Sequence, residues 1–96
     1  MDNPHPQLSD TPVERVQIGV RMEKRMVKVL KGLAEYHDLT LGDLLEGIVL
    51  HAFASCPPFD EESLRKITQL KEVYGMQYGA EMSHRLTERK PEQKGE

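Results

Sequence analysis

Val13-Glu14-Arg15-Val16-Gln17-Ile18-Gly19-Val20-Arg21-Met22 is the stretch whose reading decides the fold. Apolar residues fall at Val16, Ile18, Val20 and Met22, with Arg15, Gln17, Gly19 and Arg21 between them. Period-two alternation predicts a strand with one dry face and one polar face. Nothing else in the sequence reads as a strand, so the segment has no pairing partner within its own chain. The expectation is that a second copy supplies the partner, which leaves Gln17, Gly19 and Arg21 looking outward.

The pattern turns helical from Glu23. Met26, Val27, Val29, Leu30, Leu33 and Ala34 form a broad apolar face, opposite Lys24, Arg25, Lys28, Lys31 and Glu35. Gly32 reads as a mild helix weakener. Thr40 is a good N-cap for a second helix, and Asp43 supplies the acidic half of a capping-box-like pair. Leu41, Leu44, Leu45, Ile48, Val49, Leu50, Ala52 and Phe53 then make that helix apolar over most of its circumference. So wide a face in so short a chain predicts burial from several sides, and hence more than one subunit.

Pro57-Pro58 stops the second helix. Asp60 caps a third, Glu61 and Glu62 suit the positive end of its dipole, and Phe59 is placed to staple onto Leu64. Apolar positions Leu64, Ile67, Leu70, Val73 and Tyr74 carry it to about Gly75, and Met82 and Leu86 extend a sparse stripe. The organisation read from these signals is a disordered arm over 1–12, a core domain over 13–54, a C-terminal helical extension over 55–89 and a disordered tail over 90–96.

At 96 residues the chain holds one small domain; aromatics are 5% and Trp is absent, so oligomerisation compensates a thin core. One cysteine, Cys56, excludes an internal disulfide and suits a reducing cytoplasm. The first residues lack the pattern of a signal peptide, and no run is long enough to span a membrane. Net charge is −3, but from Arg15 to Lys31 six basic residues face one acid, Glu23. A locally basic first third is compatible with a one-sided binding face, but charge clustering alone favours a solvated helix flank. His5, His37, His51 and His84 and the lone cysteine lack zinc-site spacing, so neither metal nor cofactor is expected. Ser55, Ser63 and Ser83 have no activating neighbours in sequence, and an enzyme is not expected.

Val16 to Phe53, with V-Q-I-G-V-R-M-E followed by M-V-K-V-L-K-G-L-A-E-Y-H-D-L-T-L-G-D-L-L, resembles the ribbon-helix-helix family of Arc, MetJ and CopG-type DNA-binding proteins. The fold class that this implies is mainly α: one N-terminal strand, two core helices and a C-terminal helical extension in an intertwined homodimer. By the resemblance the paired strands enter the major groove of double-stranded DNA, with Gln17, Gly19 and Arg21 contacting bases. Gln17 matches adenine N6 and N7, and Arg21 matches guanine O6 and N7. Arg15, Lys24 and Arg25 meet phosphates, as do Thr40, Leu41 and Gly42 at the start of the second helix. The implied dimer core is Val16, Ile18, Val20, Met26, Leu30, Leu33, Leu45, Ile48, Val49 and Phe53. Gly19 departs from the pattern, because the family usually carries a base-reading side chain there.

The function implied is that of a homodimeric, sequence-specific repressor. Two alternatives stand beside it: an antitoxin whose extension over 60–89 binds a protein partner, and a dimer of the same fold that no longer binds DNA. On residues alone, Gln17 and Arg21 can also be plain solvent-facing side chains.

Overall fold

The computed structural model describes residues 10–89; the disordered arm expected over 1–12 lies outside them up to residue 9, as does the expected tail over 90–96. Among the described residues the secondary structure is helical. α1 spans Lys24–Tyr36, α2 Leu41–Phe53 and α3 Glu61–Tyr74, followed by a 3₁₀ turn at Ala80–Met82. α1 packs against both other helices, and α2 packs on α1 alone.

No strand occurs among the described residues, and this corrects the ribbon-helix-helix assignment. Residues 13–22 form neither helix nor ladder, and Val16, Ile18 and Val20 are 81%, 74% and 67% exposed. The physical reason is that alternation describes which side chains share a face, whereas a strand exists only where its N–H and C=O groups meet another edge. Among the described residues the long apolar runs of α1, α2 and α3 have closed their hydrogen bonds inside helices, so no such edge is present there. The expected dry face of the segment is wet.

The helices start on side-chain caps. Thr40 Oγ accepts from the Asp43 amide at 3.1 Å, and Asp60 Oδ1 accepts from the Ser63 amide at 2.8 Å. α1 begins on Glu23, whose carboxylate accepts from the amides of Arg25 and Met26, both at 3.1 Å. Each cap satisfies amides that have no intrahelical acceptor.

All three helices end alike. Asp38, Ser55 and Gly75 adopt φ of 59°, 57° and 72°, and the next amides, of Leu39, Cys56 and Met76, donate back to the carbonyls of Ala34, His51 and Lys71. This is the Schellman closure, in which a left-handed residue turns the chain and satisfies the last carbonyls. Only the third uses glycine, for which the left-handed region carries no penalty.

The core is small. Val29, Leu33, Ala34 and Leu44 are buried, and Leu30, Ile48, Phe59, Ile67 and Leu70 pack around Leu33, Ala34 and Leu44. Phe59 goes to this cluster, while Leu64 stays 51% exposed. Gly32 faces α3 so closely that a Cβ there would stand 2.9 Å from Leu70 Cδ2. The glycine read as a helix weakener is thus the point where α1 and α3 approach.

Polar contacts stitch the same two helices. His37 Nε2 and Ser63 Oγ share a hydrogen bond of 3.0 Å, with Ser63 only 5% exposed. The Tyr36 hydroxyl donates to Glu62, and Lys66 Nζ stands 5.1 Å from the Tyr36 ring centroid. Lys28 Nζ stands 5.6 Å over the Tyr74 ring. No helix among the described residues is long and apolar enough to cross a membrane.

Candidate nucleic-acid interface

Six cations lie between residues 15 and 31, and the fold spreads them over two elements. Arg15 and Arg21 belong to the non-helical segment, while Lys24, Arg25, Lys28 and Lys31 belong to α1. All six side chains are on exposed residues.

The order of charge along α1 runs against its dipole. Lys24 and Arg25 occupy the first turn, which holds no acid, and Glu35 sits in the last turn, which holds no base. A helix N-terminus carries a partial positive charge, so each cation there costs about 0.3–1 kcal/mol at an exposed site. α3 has the favourable order instead, with Glu61 and Glu62 in its first turn and Lys71 in its last. The capping carboxylate of Glu23 offsets part of the cost in α1. Its own carboxyl is held below the ordinary range, first by the Tyr78 hydroxyl that donates to it and then by the amides of Arg25 and Met26.

Arg15 and Arg21 are engaged within the chain. Arg15 Nε and Nη2 donate to Glu46 on α2 at 2.8 and 2.9 Å. Arg21 Nε donates to Glu88 at 3.2 Å, and its Nη2 donates to the other carboxylate oxygen. Both pairs are wide open to water, so they hold geometry more than they hold stability. Each arginine keeps its partner's carboxyl below the usual range, chiefly through the hydrogen bond.

The pair Arg15–Glu46 draws the segment to the first half of α2. Thr40, Leu41 and Gly42, the expected phosphate contacts, stand at the start of that same helix. Gly42 has open space around a notional Cβ, and so has Gly19. Neither glycine is required by packing among the described residues. The Thr40 hydroxyl accepts from the Asp43 amide and keeps its own O–H to donate, while Asp43 itself makes no return bond to Thr40 among the described residues. Gln17, Gly19 and Arg21 share the exposed segment, but Arg21 alone of the three is tied to the C-terminal part of the chain.

The residues assigned to a dimer core divide sharply. Leu33 is 1% exposed within its own chain, and Met26, Leu30, Leu45 and Ile48 are half-buried. Val49 and Phe53 are 44% and 82% exposed, and they join Leu50 at 65% as an open apolar face on α2. Two cavities flank the core. One of about 740 Å³ lies between α2 and the start of α3, lined by His37, His51 and Asp60 among others. The other, about 560 Å³, is an apolar groove formed by Met26 and Leu30 of α1 with Met76, Tyr78, Met82 and Leu86. Among the described residues no three His, Cys, Asp or Glu side chains are grouped so as to hold a metal ion.

Reading residues one at a time missed Glu23, Glu46, Tyr78 and Glu88, the groups that hold the candidate site in place. Glu23 carried a local signal, an acid directly before the first helical turn. The other three did not. In comparisons with known proteins, no family model, no curated protein and no solved structure matches this chain.

Proposed function

We propose that this chain is a DNA-binding regulator of transcription that acts as a pair of identical copies. The observation that carries the reading is the inverted charge order of α1. Lys24 and Arg25 stand where the helix dipole disfavours cations, exposed and continuous with a segment that adds Arg15 and Arg21. A polyanion relieves that repulsion, and a phosphate backbone is the polyanion that a row of separated cations fits best. In this reading Lys24, Arg25 and Arg15 meet phosphates, as do Thr40, Leu41 and Gly42 at the start of α2, and Gln17 and Arg21 reach base edges. Gly19 leaves room for close approach and contributes no side-chain readout.

Pairing of two copies accounts for the rest of the exposed surface. Leu50 and Phe53 on α2, and Val16, Ile18 and Val20 on the segment, are too many large apolar side chains for a chain of this size to leave in water. A cytoplasmic setting goes with the unpaired, exposed Cys56. The toxin-binding alternative has less support, because Ile67 and Leu70 of α3 are used against the core. Association of copies without DNA draws support from Arg15–Glu46 and Arg21–Glu88, which already engage two of the six cations.

A salt titration of the purified chain on mixed duplex fragments tests the reading. Binding is expected at low ionic strength and falls steeply as salt rises. Lys24→Ala and Arg25→Ala weaken it evenly across sequences, whereas Arg21→Ala costs about 1–3 kcal/mol at one base position. Absence of salt-sensitive binding overturns the DNA reading and leaves association alone.

A further inference from the structure

Beyond α3 the chain turns back. Gly75, with φ of 72°, closes the helix, and Met76, Tyr78, Met82 and Leu86 then line the groove beside Met26 and Leu30 of α1. This return segment reaches the N-terminal segment at two points. The Tyr78 hydroxyl donates to Glu23, the cap of α1, and the Glu88 carboxylate receives both Nε and Nη2 of Arg21. The contacts lie on either side of Met22, at the junction between segment and helix.

Arg21 is the cation that the DNA reading places on a base edge. A guanidinium presents its paired donors in one planar fork, and a carboxylate that takes both leaves no equivalent fork for guanine. Resting on that reading, we infer that residues 76–88 form a strap that competes with DNA for Arg21. Glu88 occupies the guanidinium in the free chain and is displaced when DNA binds. Tyr78 and Leu86 anchor the strap, so Glu88 acts at a high local concentration and not as a free anion. Because the Arg21–Glu88 pair is exposed, the strap tunes affinity and does not abolish it. Its release corresponds to about a two- to fivefold gain.

The test compares the full-length protein with Glu88→Gln and with Glu72→Gln, which removes the same charge from the exposed outer side of α3. Fluorescence anisotropy on a labelled mixed-sequence duplex at low salt reads the affinities. The expected result is about a two- to fivefold tighter complex for Glu88→Gln than for Glu72→Gln, and no gain when Glu88→Gln is added to Arg21→Ala. Equal gains from the two charge removals, or a gain that persists without Arg21, overturn the strap while the DNA reading stands. Binding by none of the variants removes the DNA reading and the strap with it. The Arg21 Nε–H resonance of the DNA-free protein supplies a readout independent of binding. It shifts in Glu88→Gln if the contact exists, and an unshifted resonance overturns the strap.

Discussion

The seam between α1 and α3 and the surface of α2 are built from the same kinds of side chain and meet opposite fates. Along the seam, Leu33 is closed off, Gly32 lets Leu70 approach, and His37, Ser63, Tyr36 and Glu62 are bonded across it. On α2 Leu44 alone is fully buried, while Leu50 and Phe53 face solvent, as do Val16, Ile18 and Val20 of segment 13–22. The difference separates two sets of apolar residues. Those in the seam, together with Leu44 and Ile48 of α2, hold one chain together, whereas Val49, Leu50 and Phe53 add nothing to that core and stay open to solvent.

Truncation in the two regions breaks or sharpens this division most strongly. Leu33→Ala is expected to cost about 2–5 kcal/mol in denaturant unfolding at any protein concentration. Phe53→Ala is expected to stay within about 0.5 kcal/mol in dilute solution, with a cost that grows as concentration rises if a second copy covers it. A loss at Phe53 as large as at Leu33 in the dilute limit would end the comparison.

Next in size is the pH dependence that Tyr78 and Glu23 confer on the strap. Burial and the Glu23 carboxylate push the Tyr78 phenol up from 10.0 to about 12. The unfolded chain loses this proton first, so the stabilisation present below pH 10.0 is lost as the pH climbs toward about 12. Glu23 has the opposite sign: its carboxyl is lowered from 4.5, so its stabilisation is present above that value and lost as the pH falls below it. Tyr78→Phe is expected to flatten the alkaline limb and reduce the acid limb of the unfolding midpoint against pH. An unchanged profile would place the strap outside the cooperative unit.

Smaller effects come from the helix ends. Ser55 takes the left-handed position after α2 without being glycine, and Ser55→Gly is expected to raise stability by about 1 kcal/mol. Asp38→Gly after α1 gains less, since aspartate tolerates that conformation better. The smallest contrast lies between two helical glycines. Gly47→Ala meets nothing and gains about 0.5–1 kcal/mol, whereas Gly32→Ala must displace Leu70 and shows no gain. Thermal melts of the two variants check it.

What was legible in the sequence was whatever is decided locally. Thr40 and Asp60 marked the starts of α2 and α3, and Gly75 marked an end, because caps and left-handed stops act within a few residues. The strand failed for the converse reason: Val16, Ile18 and Val20 alternate correctly, but pairing depends on an edge that no nearby residue specifies. Gly32 was misread because its meaning lies in Leu70, on another helix. The candidate site shows the same limit. Its cations could be read from residue type, while Tyr78 and Glu88, 55 and 67 positions from Glu23 and Arg21, left no trace in any local pattern.

The placement of the tyrosines has a practical consequence. The chain has no tryptophan, and each of its three tyrosines touches a charged group on a different element: Tyr36 with Glu62, Tyr74 with Lys28, Tyr78 with Glu23. α2 holds no tyrosine at all. Ultraviolet emission of the unlabelled protein therefore watches the seam and the strap while α2 stays dark, and circular dichroism weights all three helices by length. Recorded side by side, the two signals time the opening of one half of the molecule against the melting of the other, with no dye attached.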